Sequence, residues 1–267
     1  MAAKHPLVVF FGLAYAWAWI VYVPMVIFQA AHQWIFLATL GPTVAAVIAH
    51  RAAVGNYQAF RFRTTWWRTF GATVVGVALV VLAYVILPAV TTADPRKLHW
   101  GVLTSVSVYN YSTLLGGPLF EEPGWRGFAL PRLEARFGPL RGSMLLALLW
   151  AGWHLPLFFY HDWITSPAWI YLLIVIGVTF LLTYGTNLAR FGIITPIAMH
   201  ATFNTTSRFL NGLFAGTTGP RIHIPFELVL GLSGLVTAGV VLLVTRGQLG
   251  YGESQVADSV ADMGLPV

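Results

Sequence analysis

The chain has 267 residues, of which 57% are hydrophobic and only 9% are charged. Soluble domains carry about 25% charged residues, so this composition excludes an ordinary soluble protein and places the chain in the membrane class. The absence of cysteine excludes disulfides, thiolate metal sites and cysteine nucleophiles. The formal net charge of +6 comes almost wholly from arginine, which in a membrane protein reflects topology rather than nucleic-acid binding.

Segments of about 20 apolar residues, long enough to cross the roughly 30 Å hydrocarbon layer, recur along the chain. We predict eight transmembrane helices from them, at residues 7–29, 33–50, 69–90, 101–124, 141–160, 167–188, 191–212 and 224–245. The first segment is too long for the apolar region of a signal peptide and lacks a small-residue cleavage site, so we expect it to be retained. The predicted fold class is all-α integral membrane, a bundle of transmembrane helices with an intramembrane polar cavity.

The polar connections between these segments predict the topology. Between the second and third segments, residues 51–68 interleave arginine with tryptophan, which is typical of a helix lying on the lipid headgroups. With an inside N-terminus, the lysines and arginines fall on the cytoplasmic side except for Arg96, Lys97, Arg208 and Arg221. Because positive residues accumulate on that side, we predict a multi-pass protein of the cell membrane with both termini cytoplasmic.

The chain shows neither an internal repeat nor a low-complexity tract, so we predict a single transmembrane domain over residues 1–246. From Gly247 onward the sequence is polar and acidic, which predicts a flexible cytoplasmic tail over residues 247–267. Arginine in place of lysine, beside abundant alanine, valine and glycine, is typical of a GC-rich bacterial genome.

Ionisable side chains interrupt three of the apolar segments, at Glu121, His154 and His200. At about 1.5 Å per helical residue, His200 lies about 15 Å from the interfacial Arg190, near the bilayer midplane, and the other two fall at a similar depth. Such groups cost roughly 2.5 to 3.5 kcal/mol each on insertion scales, so a chain tolerates them mainly where they do chemistry or conduct ions. We therefore expect the three side chains to share one cavity.

Two local spacings support a shared site. Glu122 and Arg126 are four residues apart, so they share a helix face and are expected to pair. His200 and Asn204 have the same spacing and are expected to project together.

These residue types match the roles of an amide hydrolase. A carboxylate beside an imidazole, here Glu121 with His154, can deprotonate water for attack on a carbonyl carbon. A second imidazole and an amide, here His200 with Asn204, can donate hydrogen bonds to the resulting oxyanion. The pair formed by Glu122 and Arg126 is expected to orient these side chains.

The order of these residues resembles the three motifs of the CPBP intramembrane proteases, a family that includes CAAX prenyl proteases and bacterial Abi-type proteins linked to bacteriocin self-immunity. The matching motifs are Glu121-Glu122-xxx-Arg126, Trp150-xxx-His154 and His200-xxx-Asn204. The resemblance covers residues 100–210 closely and implies an intramembrane endopeptidase. It assigns water activation to the first glutamate and first histidine, and oxyanion stabilisation to the second histidine and the asparagine. Trp150, where the family often has phenylalanine, is expected to wall the pocket and change its shape but not its chemistry.

Metal dependence is left open by the sequence. Glu121, His154 and His200 have the donor atoms for three zinc ligands with water in the fourth position. The chain lacks a His-x-x-x-His helix, however, and we favour a glutamate–histidine mechanism that requires no cofactor. The expected partners are a peptide or protein substrate, arriving from the membrane or the cytoplasm, and the lipid bilayer, with no nucleic acid.

Two other functions use the same polar residues. A transporter or proton-coupled permease would use the buried acids as a relay, but it predicts inverted-repeat halves, which the sequence lacks. A non-catalytic immunity or binding protein would retain the fold alone. Each group also has a structural interpretation: a cytoplasmic loop for the acids and arginine, a core histidine at His154, and interhelical hydrogen bonding for His200 and Asn204.

Overall fold

The computed structural model describes residues 5–56, 65–92, 114, 116–161, 166–213 and 226–252. Within these ranges every regular element is helical. The α-helices are α1 Pro6–Phe28, α2 Ile35–Val54, α3 Trp66–Val81, α4 Leu87–Thr92, α5 Pro118–Glu122, α6 Leu130–Phe137, α7 Pro139–Trp153, α8 Ala168–Leu188, α9 Ile194–Leu213 and α10 Phe226–Val244. Two π-helical segments, Leu82–Ile86 and Pro123–Ala129, join α3 to α4 and α5 to α6, and 3-10 turns lie at His32–Trp34 and Leu155–Phe159.

Among the described residues, five helical stretches are long and apolar enough to cross a membrane: Pro6–Phe28, Ile35–Val54, Trp66–Ala89, Ala168–Leu188 and Phe226–Val244. They coincide with the predicted first, second, third, sixth and eighth segments, and the all-α membrane fold is confirmed. Most of the predicted fourth segment, and residues 57–64 of the predicted interfacial helix, lie outside the described residues.

Two predicted segments differ from a simple span. The segment at 141–160 forms α7, which has 15 residues and gives way to a 3-10 turn at Leu155. Pro156 follows directly, and proline lacks the backbone N–H that an α-helix interior needs. The segment at 191–212 forms α9, which has 20 residues but carries several threonines besides His200 and Asn204 and is therefore less apolar.

The segment from α5 through Ala129 lies inside the bundle, where α5 packs against α2 and α9. Gly124 meets α2 so closely that a Cβ there would overlap the carbonyl group of Pro42. The hydroxyl of Thr43 donates a hydrogen bond to the carbonyl oxygen of Phe120, which ties α2 to α5 directly before the two acids. Pro123 begins a π-helical segment, a rare conformation that occurs frequently at functional sites.

Helix α9 is held in place beside α3 and α8. The side chain of Met199 is fully buried and fits against two glycines, Gly76 of α3 and Gly185 of α8. A Cβ at either glycine would overlap the Met199 sulfur. Since His200 is the next residue, this contact fixes the position of its backbone.

The first residues of the predicted tail pack against the bundle. Leu249 is fully buried, and its carbonyl oxygen accepts a hydrogen bond from the Asn187 amide at 3.0 Å. The same amide donates to Glu134 at 2.8 Å, so α6, α8 and the end of the described chain meet here. Residues 253–267 of the tail lie outside the described part, and the boundary at Gly247 stays a prediction.

Candidate active site

The predicted site residues lie on three parts of the bundle. Glu121 and Glu122 end α5, Arg126 lies in the π-helical segment, His154 directly follows α7, and His200 and Asn204 lie on α9. The two acids, the arginine and the two histidines are all buried, and Asn204 is partly buried. Burial argues against the interpretation of Glu121 and Glu122 as members of a solvated cytoplasmic loop.

Glu122 joins the π-helical segment to α9. Its Oε1 atom accepts a hydrogen bond from Arg126 Nη1 at 3.0 Å, so the pair expected from the spacing is present. The same oxygen lies 2.7 Å from Nδ1 of His200. An ionised carboxylate only accepts, so His200 donates its Nδ1–H to Glu122 and presents Nε2 to the rest of the site. Arg126 also reaches α8, where its Nη2 lies 3.4 Å from the Thr179 hydroxyl.

Trp150 links the first acid to the first histidine. Its indole Nε1–H donates to Oε2 of Glu121 at 2.8 Å, and its backbone carbonyl oxygen lies 2.9 Å from Nδ1 of His154. Because a carbonyl oxygen only accepts, Nδ1 of His154 carries the hydrogen, and in the neutral ring Nε2 carries the lone pair. The geometry therefore selects the tautomer of His154 in which Nε2 can act as a base.

Asn204 and Glu121 face the same small residue. A Cβ built on Gly117 would lie 2.9 Å from Oε1 of Glu121 and 3.7 Å from Nδ2 of Asn204. Both side chains therefore approach the space above Gly117, where only a hydrogen atom is present. This arrangement brings an amide donor from α9 close to the carboxylate oxygen that Trp150 does not bind.

Aromatic rings enclose the His154 side of the site. The rings of Trp153 and Tyr171 meet the His154 imidazole edge to face, at centroid distances of 4.7 and 5.7 Å. The Tyr22 ring in turn packs edge to face against Trp153, at a centroid distance of 5.3 Å. Sequence reasoning missed these two tyrosines, since each stands alone in an apolar helix with no motif around it.

The three side chains considered as zinc ligands, Glu121, His154 and His200, do not form a metal-binding group as placed. Within the described ranges, no cluster of three or more His, Cys, Asp or Glu side chains has an arrangement that could hold a metal ion. The residues present thus do not fit a metal, and we derive no catalytic step through one.

Comparison with known proteins agrees with the order of the motifs. Residues 99–206 match the family model described as Type II CAAX prenyl endopeptidase Rce1-like. The chain is also 28% identical over 137 residues to CAAX prenyl protease 2 of Methanococcus maripaludis. That alignment covers 48% of this chain and 47% of the relative, so the chain matches about half the length of the curated protein.

A helical bundle with five candidate spans and a buried set of acids, imidazoles and an amide defines a multi-pass membrane protein with a polar site inside it. The matched region carries all three motifs, so over residues 99–206 the chain is similar to the Rce1-like CAAX prenyl endopeptidases.

Proposed function

We propose that the chain is an intramembrane endopeptidase that hydrolyses a peptide bond with a water molecule activated by Glu121 and His154. The observation that carries this proposal is the approach of Glu121 and Asn204, from α5 and α9, to the space above Gly117. Trp150 of α7 donates its indole N–H to the Glu121 carboxylate, and its backbone carbonyl binds the buried His154 imidazole, so the same residue joins the carboxylate to the imidazole. The match of residues 99–206 to a family model of endopeptidases supports the same reaction.

In the proposed reaction, a water molecule lies between Glu121 and the scissile carbonyl carbon. Glu121 accepts one proton from the water. The lone pair on Nε2 of His154 accepts a hydrogen bond from the other O–H of the water. The water oxygen bonds to the carbonyl carbon, and the carbonyl π electrons move onto its oxygen. The C–N bond then breaks as the oxyanion collapses, and the leaving amine takes the proton from Glu121.

His200 and Asn204 would stabilise the oxyanion. Paired with Glu122 through Nδ1, His200 as an imidazolium has its Nε2–H available to the oxyanion, and the Asn204 amide supplies a second donor. Before the water gives up its proton, the carboxylates of Glu121 and Glu122 balance one guanidinium and one imidazolium, and afterwards the oxyanion takes the place of the Glu121 charge, which lowers the cost of keeping four charged groups inside the membrane. In this scheme Glu122 orients His200 and compensates its positive charge, and Arg126 holds Glu122 in position.

The proposed substrate is a peptide or protein that reaches the site from the membrane or the cytoplasm. The relative from Methanococcus maripaludis is named a CAAX prenyl protease, and prenylation of the substrate is not part of our proposal. Hydrolysis of matched peptides with and without a prenyl group would measure that dependence.

We also propose that both termini face the cytoplasm. Because the natural chain contains no cysteine, single cysteines placed near either end can be labelled from one side of the membrane without background. Labelling of both by an impermeant reagent only after the cells are opened is the expected result. Labelling in intact cells would reverse the topology.

The proposed function is tested by peptide hydrolysis with purified protein in detergent or liposomes. Glu121→Gln and His154→Ala are each expected to lower kcat by about 100- to 10,000-fold, the range for a lost general base. Glu227→Gln makes the same change in the first turn of α10, away from the site, and is expected to retain activity. Undiminished hydrolysis by both site variants would rule out the proposed mechanism.

The same preparation separates the competing functions. A protein that hydrolyses no peptide but takes up protons or a solute into liposomes in a Glu121-dependent way would be a transporter. If the protein shows neither peptide hydrolysis nor uptake, the result would favour a non-catalytic immunity or binding protein. Metal dependence is tested by elemental analysis of the purified protein and by chelation, and activity that survives chelation is the expected result.

A further inference from the structure

We infer that Trp150 is a positioning residue for the water-activating carboxylate, an inference that rests on the proposed function. Its indole N–H donates to Oε2 of Glu121 at 2.8 Å, and both side chains are buried. Phenylalanine, frequent at this motif position in the family, has no such donor. The tryptophan thus does more than the change of pocket shape that the sequence suggests, because it adds a hydrogen bond to the reacting acid.

The hydrogen bond distinguishes the two oxygens of Glu121. With Oε2 bound to the indole, Oε1 is the oxygen nearer to Gly117, only 2.9 Å from where a Cβ would lie, and to the Asn204 amide. Rotation of the carboxylate about its terminal bond would break the contact to Trp150. The indole therefore fixes the orientation of the carboxylate, with one oxygen held by Trp150 and the other directed towards Asn204.

The direction of the indole N–H is itself fixed by two contacts of the ring. The guanidinium carbon of Arg126 lies 4.2 Å from the Trp150 ring centroid, a cation–π distance. The His200 ring packs against the same indole at 5.2 Å with an interplanar angle of 86°. The backbone carbonyl of Trp150 holds His154. One residue thus contacts Glu121, Arg126, His154 and His200, and its orientation sets their relative positions.

The test removes the N–H and keeps the ring. Replacement of Trp150 by benzothienylalanine, an isostere with sulfur in place of the indole nitrogen, should preserve the packing with Arg126 and His200. We expect kcat to fall about 10- to 100-fold, the size of one lost hydrogen bond to a charged group, with KM unchanged. Trp150→Phe should lose at least as much.

Trp17 provides the matched control. Its indole N–H also donates at 2.8 Å, but to the carbonyl oxygen of Leu37, away from the site. The same isostere at Trp17 is expected to leave kcat and KM at the wild-type values. Full kcat in the Trp150 isostere, beside an inactive Glu121→Gln variant, would overturn the positioning role and leave the proposed function intact.

A spectroscopic measurement tests the contact without any substrate. The Raman band of tryptophan that reports hydrogen bonding of the indole N–H should shift in Glu121→Ala relative to wild type. The same comparison made in a Trp150→Phe background should show no shift. An unchanged band in Glu121→Ala would overturn the contact. If the band shifts but the wild-type protein hydrolyses no peptide, only the proposed function would be overturned.

Discussion

Nδ1 of His200 lies 2.7 Å from Oε1 of Glu122, and this contact joins α9 to the end of α5. Because Arg126 binds the same oxygen, one buried carboxylate holds two potential cations from different parts of the chain. Glu122 is therefore a structural junction as well as a member of the proposed site.

Removal of either partner from the Glu122–Arg126 pair should destabilise the protein. Breaking a buried ion pair leaves one charge uncompensated and typically costs about 3–5 kcal/mol. We expect Glu122→Gln and Arg126→Gln each to lower the free energy of unfolding in detergent, and the double variant to lose less than the sum. Additive losses in this double-mutant cycle would show that the two side chains are not coupled.

A methyl group at Gly117 should block the site. The Cβ added by Gly117→Ala would lie 2.9 Å from Oε1 of Glu121 and approach Asn204, so it would occupy the space where we propose that water is activated. We expect kcat to fall by at least about tenfold, with little change in melting temperature. Gly239→Ala, where a Cβ meets nothing within 4 Å, is the control and should retain activity. Equal kcat values for the two variants would contradict a reacting water above Gly117.

Gly124→Ala should instead affect stability. The added Cβ would overlap the backbone carbonyl of Pro42, which cannot move aside as a flexible side chain could. Overpacking of this kind typically costs about 1–3 kcal/mol, so the melting temperature should fall well below that of wild type. Gly71→Ala, which adds a methyl group to open space on α3, provides the comparison. Equal melting temperatures for the two variants would contradict the close approach of α2.

The stability of the protein should fall as pH rises from about 4.5 to 8. Burial in α6, outside the spanning segments, raises the pKa of Glu134 to about 8. Between its ordinary pKa and this value the folded state binds the proton more than the unfolded state does, so the free energy of unfolding decreases with pH. Thermal denaturation of Glu134→Gln at several pH values should show a smaller decrease of stability with pH than wild type. A steeper pH dependence in the variant than in wild type would refute the assignment.

The sequence patterns that predicted the structure best involve residues close together in the chain. The length of the apolar segments predicted five of the spans, and the four-residue spacing predicted the Glu122–Arg126 pair. The 3.6-residue helical period did not predict the π-helical segment at Pro123–Ala129, where Gly124 lies against the backbone of α2. Local patterns carry no information about a contact made by a distant helix.

The same limit applies to the site. The sequence placed Trp150 one turn before His154, but the direction of its indole N–H depends on Arg126 and His200, which arrive from other elements. The buried Leu249 likewise accepts a hydrogen bond at its backbone carbonyl from Asn187, 62 residues earlier in the chain. A polar tail predicted from composition alone cannot reveal that one of its apolar residues fits against a helix end.

The fit of Met199 between Gly76 and Gly185 has a mechanical consequence for the residue that follows it. An axial slip of α9 by a single residue would displace His200 by about 1.5 Å and rotate it away from Glu122. Oxyanion donors lose their effect over such distances. The contact of the Met199 sulfur with the two glycines prevents this slip and thereby sets the position of the proposed donors. The accuracy of this site would then originate partly in the scaffold, in two glycines of α3 and α8 that take no part in the proposed reaction.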